Sequence, residues 1–246
     1  MVRSLSAMMT ELAFDYANVT GRPRGAIVAT VGRVLPGVAE VQRQVQPYAA
    51  AWRAANLAAL SRPGRRWIVL GDSMSQGIGA DPFAGWVNQL LDRLPESLNV
   101  VNLSASGARV PDLLEQQMPV WRALPAAAPG AAPDIVTVLV GSNDLMSRRH
   151  RDAMPELFGQ LLEQLPPGAI VATLPQPRAA AAAANKLIDA AARTRGLRVV
   201  DMRKSGPRSW RGKLAADHFH PNEIGYASIA DAFEPAVRKA VAAPPN

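Results

Sequence analysis

The chain has 246 residues, 48% of them hydrophobic, and a mean hydropathy near zero, which is enough to bury the core of one domain plus an appendage. Cysteine is absent, which excludes disulfides, thiolate catalysis and cysteine-ligated zinc. The net charge of +7 is concentrated in residues 1–66, where nine Arg and three acidic residues give +6 and leave +1 for the rest. Since basic and aromatic residues are not interleaved, we expect no nucleic-acid partner.

The first 65 residues are predicted to form a basic, partly helical extension. Glu11 and Asp15 interrupt what would have to be the uncharged core of a secretion signal. The apolar stretch 26–38 contains Arg33 and Pro36 and is too short to cross a bilayer. We therefore expect no transmembrane segment and a cytoplasmic protein, with peripheral contact to anionic lipid through this region left open. Helical spacing predicts an amphipathic helix with its apolar face at Leu5, Met8, Met9, Leu12 and Tyr16.

A second helical pattern follows, in which Pro47 is expected to kink or divide the helix. Its apolar positions are Val38, Val41, Val45, Tyr48 and Trp52. A helix packed on the domain's own surface is favoured over a lid or a partner-binding helix, because such a stripe usually serves simple burial. The turn-forming residues 61–64 then mark a boundary between the extension, residues 1–65, and a second domain, residues 66–246.

From Arg66 onward, apolar runs alternate with helical patterns. Five runs rich in Val, Ile and Leu predict strands at Trp67–Leu70, Asn99–Leu103, Ile135–Val140, Ala169–Thr173 and Leu197–Val200. Helical spacing predicts helices at Trp86–Leu94, Pro111–Leu124, Pro155–Leu165, Ala179–Thr194 and Asn222–Val241. Five βα units of this kind imply an α/β protein with a five-stranded parallel sheet and helices on both faces, a three-layer α/β/α domain.

Polar motifs follow the first three predicted strands. Gly71-Asp72-Ser73 ends the first strand, residues 104–107 follow the second, and residues 141–144 follow the third. Ligands bind beyond the carboxyl ends of the strands in such a sheet. Residues 217–221, Asp-His-Phe-His-Pro, precede the last helix and can reach the same edge. The sequence therefore predicts one site at this edge.

The residue types at this edge suit acyl transfer. Ser73 is a weak nucleophile that needs a base, and His220 is the best candidate among His150, His218 and His220. Asp217 can accept a hydrogen bond from His220 and fix the tautomer that faces the serine. The anion that develops on an attacked carbonyl needs donors, which the backbone N–H groups of Ser73 and Gly107 and the side-chain amide of Asn143 can supply.

These motifs resemble the SGNH hydrolases, the GDSL-type esterase and lipase superfamily, over roughly residues 66–240. The resemblance implies a flavodoxin-like α/β/α fold, Ser73, Asp217 and His220 as the catalytic triad, and Ser73, Gly107 and Asn143 as the oxyanion hole. Met74 stands where the family usually has Leu. Ser104 stands where the second block commonly begins with Gly, so the backbone donor could lie one residue from Gly107. No cofactor and no metal are implied.

The predicted activity is hydrolysis of a small acyl ester or thioester through an acyl-serine intermediate. Acyl transfer to an alcohol or sugar is a close variant, and a non-catalytic α/β module that binds a lipid or glycan is the competing class. A third hypothesis is an Arg-driven membrane adaptor. A metal site at Asp217, His218 and His220 is disfavoured, because no further ligands are near in sequence. His150 is interpreted as part of a solvated basic loop.

Overall fold

The computed structural model describes residues 14–22, 35–125 and 132–243. Five strands form one sheet: β1 Arg66–Gly71, β2 Asn99–Asn102, β3 Ile135–Leu139, β4 Ile170–Ala172 and β5 Arg198–Val200. All five strand predictions are confirmed to within one or two residues at their ends. Val- and Ile-rich runs favour extended backbone and pack well on a sheet covered on both faces.

The strand order is β2-β1-β3-β4-β5, and every neighbouring pair is parallel. Strand β2 is added on one side of β1, whereas β3, β4 and β5 are added on the other side, so the order of addition reverses between β1 and β3. Open α/β sheets bind their ligands at such a point. Helices cover both faces, so the predicted three-layer α/β/α architecture is confirmed.

The longer helices are α1 Pro36–Leu60, α3 Trp86–Leu91, α8 Met154–Gln164, α9 Ala179–Arg195 and α11 Glu223–Val241. The last four agree with their predicted bounds to within a few residues, and α1 contains the second helical pattern. Shorter helices are α2 Ser73–Gln76, α4 Val110–Asp112, α5 Met118–Ala123, α6 Ser142–Met146, α7 Arg148–Arg151 and α10 Met202–Ser205. Residues of α8 and α9 pack on one face of the sheet, and residues of α3 and α11 pack on the other. None of the helices in the described ranges is long and apolar enough to cross a membrane.

Two expectations for the N-terminal region are corrected. Pro47 was expected to kink or divide the second helix, and it does not divide α1, because Tyr48, Ala49 and Trp52 are buried against the domain and hold the following turns. Tyr16 is not helical; it lies in an extended segment and its hydroxyl donates to the Leu103 carbonyl at 2.8 Å. The remainder of the first predicted helix, and residues 23–34, lie outside the described residues.

Helix α1 covers β2, the edge strand of the sheet. The side-chain amide of Asn56 donates to the Asn102 carbonyl at 2.8 Å, and its oxygen accepts from the Asn102 N–H at 2.8 Å. A buried edge strand needs partners for its outward N–H and C=O groups, and Asn56 supplies both. As the sequence favoured, α1 is a helix packed on the domain's own surface.

A π-helical turn, Leu113–Gln117, interrupts the helix predicted at Pro111–Leu124. It presents Gln117 to the end of β1, where the Gln117 amide pairs with both the N–H and the C=O of Gly71 at 2.9 and 2.8 Å. Gln117 is fully buried. The π-helical turn therefore fixes the backbone just before Asp72 and Ser73. Such turns inside helices often occur near functional sites.

Candidate active site

The backbone turns sharply from β1 into α2 at Asp72. Asp72 caps α2, accepting from the Met74 N–H at 3.0 Å, and Ser73 is the first residue of that helix. Gly71 permits the turn, because a Cβ there would lie 2.5 Å from the Leu139 carbonyl oxygen. The Ser73 side chain consequently lies at the carboxyl edge of the sheet, beside its central strands.

The segment before α11 is folded around Asp217. One oxygen of Asp217 accepts from the N–H groups of Phe219 and His220, both at 3.0 Å. His218 adopts a left-handed conformation, with φ of 55°, which lets the chain double back. The His220 carbonyl accepts from the Ala215 N–H at 2.8 Å, and Asn222 caps α11 through the Gly225 N–H. The side chain of His220 is thereby held 8% exposed.

Ser73, His220 and Asp217 form a continuous hydrogen-bonded chain. The Ser73 Oγ lies 3.0 Å from His220 Nε2, and His220 Nδ1 lies 2.6 Å from Asp217 Oδ2. Burial raises the pKa of Asp217, but the hydrogen bond and charge of His220 and the two backbone N–H groups outweigh it and lower the pKa below its usual value. Asp217 is therefore ionised, and it accepts from the Nδ1–H and leaves Nε2 to accept the serine proton.

Two glycines near Ser73 have specific steric roles. Gly77 ends α2 in a left-handed conformation, with φ of 84°. Gly79 also has a positive φ, and a Cβ there would lie 2.7 Å from the Cβ of His220. The backbone at Gly79 therefore packs directly behind His220 and limits its movement.

The segments that carry the predicted anion-binding groups contact Gly71 and Asp72, the two residues before Ser73. Ala105 N–H donates to the Gly71 carbonyl at 3.2 Å, which ties the loop after β2 to the end of β1. Gly107 is exposed and left-handed, with φ of 78°. The Asn143 amide donates to the Ala108 carbonyl at 2.9 Å and lies 3.4 Å from an Asp72 oxygen. The structure thus brings the segments of Gly107 and Asn143 to the same edge as Ser73.

Two buried carboxyl groups support these segments, and the sequence analysis assigned them no role. Asp72 accepts from the Ser142 hydroxyl at 2.8 Å, and its burial raises its pKa. Asp144 faces the Val110 N–H at 3.3 Å, and burial raises its pKa to about 7 despite the lowering effect of that N–H. The position of Asp72 directly before a helix start is a sequence signal for its capping role. Its contact with Ser142, 70 residues away, has no such signal.

The other histidines lie at the rim. His218 is exposed and makes no contact with Ser73, which is paired with His220. His150 contacts the Arg109 guanidinium through Nε2 and is therefore not simply solvated as the sequence indicated. Burial first, and then the charges of Arg109 and Arg149, lower the pKa of His150. No group of three or more His, Asp or Glu side chains suited to a metal ion occurs in the described part of the chain.

The three-layer fold and the serine-histidine-aspartate chain at its carboxyl edge make the protein a candidate serine hydrolase. The sequence model of the GDSL-like lipase/acylhydrolase family matches residues 69–228, which is more than half of the chain. The protein belongs to this family and is an enzyme that hydrolyses ester bonds. The hypothesis of a non-catalytic binding module is therefore set aside.

Solved structures share the fold. TesA is 21% identical with a TM-score of 0.55, covering 72% of this chain and 99% of its own. A lipase/acylhydrolase from Enterococcus faecalis is 19% identical with a TM-score of 0.50, covering 74% and 99%. The psychrotrophic esterase EstA from Pseudoalteromonas sp. is 16% identical with a TM-score of 0.51, covering 72% and 98%. No curated protein matches the sequence.

Proposed function

We propose that the protein hydrolyses carboxylic esters or thioesters through an acyl intermediate on Ser73. The observation that carries this proposal is the pair of short hydrogen bonds joining Ser73 to His220 and His220 to Asp217. A serine hydroxyl becomes an effective nucleophile when an imidazole within hydrogen-bond reach can take its proton. The lowered pKa of Asp217 supports this assignment, because an ionised carboxylate stabilises the imidazolium formed during attack.

The reaction then proceeds in two halves. Ser73 Oγ attacks the carbonyl carbon while His220 Nε2 takes the hydroxyl proton, and the tetrahedral intermediate collapses as His220 gives that proton to the leaving alcohol or thiol. Water attacks the acyl-serine in the second half, with His220 again as base, and releases the carboxylic acid. No step requires a cofactor or a metal ion.

Three donors are proposed to stabilise the oxyanion: the N–H groups of Ser73 and Gly107 and the side-chain amide of Asn143. Neither backbone N–H donates to another group within the described residues. The longer of the two Asn143 contacts, 3.4 Å to Asp72, is the one that the amide would exchange for the oxyanion. Such donors are effective because they are in place before the charge develops.

Kinetics on p-nitrophenyl acetate and butyrate test the proposal. Ser73→Ala and His220→Ala should each lower kcat by about a thousandfold or more. His218→Asn is the matched control, because this histidine lies two residues away and is exposed, and asparagine tolerates its left-handed backbone; it should keep wild-type turnover. Unchanged turnover in Ser73→Ala or His220→Ala would overturn the proposal.

A further inference from the structure

A short segment before α1, residues 16–22, runs along the loop that carries Gly107. We call residues 16–22 the strap and residues 103–107 the oxyanion loop. Tyr16 donates to the Leu103 carbonyl at 2.8 Å, and Asn18 donates to the Ser104 carbonyl at 2.9 Å. Val19 forms a parallel bridge with Ser106. The strap thus contacts the oxyanion loop at successive positions along its length.

The strap is also joined to the nucleophile turn. The fully buried Gln76 side chain, at the end of α2, donates to the Asn18 carbonyl at 2.8 Å and to the Ser104 carbonyl at 3.0 Å. Asn18 is itself fully buried. One amide therefore links the helix that begins with Ser73, the strap and the oxyanion loop, so a displacement of the strap is transmitted to both sides of the reacting centre.

Arg22, at the end of the strap, reaches the oxyanion loop at Gly107. Its Nη2 donates to the Gly107 carbonyl at 3.1 Å and to an Asp112 oxygen at 2.7 Å, and its Nη1 contacts the second Asp112 oxygen. Asp112 also accepts from the Arg109 N–H at 2.7 Å, and its side chain is 4% exposed. The guanidinium is thus fixed on both oxygens of a buried carboxylate while it holds the glycine carbonyl.

We propose that Arg22 is a positioning residue: it holds the peptide that follows Gly107 and so restrains the backbone torsions of this glycine, which set the direction of its N–H toward the oxyanion. This inference rests on the proposed function, because it takes the Gly107 region as the anion-binding side of the site. It adds a residue that lies 47 positions before the part of the chain matched by the family model, which begins at residue 69.

Gly107 is the residue most in need of such support. It is exposed, has a positive φ, and a Cβ on it would meet no atom within 4 Å, so the space on that side of the residue is open. Glycine has the largest backbone freedom of any residue. Donors to an oxyanion are effective only when their orientation is set in advance. A planar guanidinium held by Asp112 supplies this restraint from outside the loop.

The chain offers a matched control in Arg66. Its guanidinium also binds both oxygens of an aspartate, Asp134, at 2.8 and 3.0 Å, and also donates to a backbone carbonyl, that of Pro125, at 2.7 Å. Arg66 begins β1 and so lies at the amino edge of the sheet, opposite Ser73. Loss of either arginine removes the same kinds of contact, but only Arg22 contacts the oxyanion loop.

The experiment compares Arg22→Ala with Arg66→Ala on p-nitrophenyl butyrate, together with the rate of inactivation by a fluorophosphonate. Arg22→Ala should lower kcat and the inactivation rate by about tenfold or more and change KM by less than about twofold. Arg66→Ala should keep kcat within about twofold while lowering Tm at least as much. Equal kcat values in the two variants, or a loss confined to Tm, would overturn the proposal.

One further variant and a chemical rescue keep the test decisive. Arg22→Lys keeps the charge but cannot bind Asp112 through both oxygens and Gly107 at once, so its kcat should lie between those of wild type and Arg22→Ala. Added methylguanidine should raise kcat of Arg22→Ala and leave Arg66→Ala unchanged. If Arg22→Ala does not fold, an Arg22→Lys enzyme with wild-type kcat and inactivation rate overturns the proposal.

The outcome is distinguishable from failure of the proposed function. If Ser73→Ala keeps wild-type turnover, the acyl-serine mechanism is wrong whatever Arg22 does. If Ser73→Ala is inactive and Arg22→Ala matches Arg66→Ala, the mechanism stands and the positioning role of Arg22 is wrong.

Discussion

The two sides of the site differ in how their residues are brought together. On the triad side, Asp217 and His220 are three residues apart, and Asp217 bonds the backbone of its own short turn. On the anion side, the oxyanion loop is held by Tyr16, Asn18 and Arg22, which are 85–87 residues from the groups they bind. Local geometry thus orients the proposed base, whereas the proposed backbone donor Gly107 depends on a distant segment. Substitutions on the two sides should therefore differ in kind as well as in size.

The largest effect is expected at Asp217. Asp217→Asn should lower kcat by about a thousandfold or more, because an amide can donate to Nδ1 and so favour the tautomer whose Nε2–H faces Ser73. Stopped assays over a range of p-nitrophenyl butyrate concentrations measure kcat and KM. A kcat within tenfold of wild type would remove Asp217 from the triad.

A smaller effect is expected on the anion side at Asn143. Asn143→Ala should lower kcat by about a hundredfold with little change in KM, because its amide donates to charge present only in the transition state. The rate of fluorophosphonate inactivation should fall in parallel. A raised KM with unchanged kcat would instead assign Asn143 to substrate binding.

The contact between α1 and the edge strand is expected to govern stability rather than rate. Asn56→Ala leaves the N–H of Asn102 buried without a partner, whereas its C=O keeps the Asn18 amide at 2.7 Å, and should lower the free energy of unfolding by about 1–3 kcal/mol. Gln46→Ala, at an exposed position of the same helix, is the control and should change it by less than about 0.5 kcal/mol. Urea unfolding measures both. Equal stabilities would show that Asn56 does not hold α1 on β2.

The smallest effect is the pH dependence contributed by Asp144. Its folded pKa of about 7 lies above the value of an unfolded aspartate, so between about pH 4 and pH 7 the folded state holds a proton that the unfolded state has lost. The contribution of this group to the free energy of unfolding is therefore greatest below about pH 4, and it is lost as the pH rises through about 7. Asp144→Asn cannot ionise. As the pH rises from about 5 to about 8, its free energy of unfolding should therefore gain about 1–2 kcal/mol relative to that of wild type.

Thermal unfolding at both pH values measures this difference. Asp152→Asn, at an exposed position, is the control for loss of a surface charge and should follow wild type. An Asp144→Asn curve parallel to the wild-type curve would contradict the assignment.

The sequence predicted the sheet and the triad for related physical reasons. Each strand is a continuous apolar run, and Ser73 lies at the end of one such run, so hydrophobic pattern and position together place it at the edge of the sheet. Asp217 and His220 are close in sequence, and their spacing fits one turn. These signals are local and can be read from a single chain.

The rest of the site depends on contacts that no local pattern records. Arg22 is one of several dispersed arginines in the first 66 residues, and nothing in its neighbours indicates that it reaches Gly107. Likewise Asn56 lies in an ordinary helical stripe, and its pairing with Asn102 requires the edge of the sheet to be present. Their roles emerge only when segments 46 to 85 residues apart are packed together.

Identification of the acylated residue tests the central claim most directly. Enzyme mixed with p-nitrophenyl butyrate, quenched in acid during the pre-steady-state burst and digested should carry one butyryl group, located on Ser73 by peptide mass spectrometry. The adduct should be absent from Ser73→Ala. It should be present in Ser75→Ala, where the lost hydroxyl has no hydrogen-bond partner among the described residues. A butyryl group on another residue, or turnover in Ser73→Ala at the wild-type rate, would contradict the account.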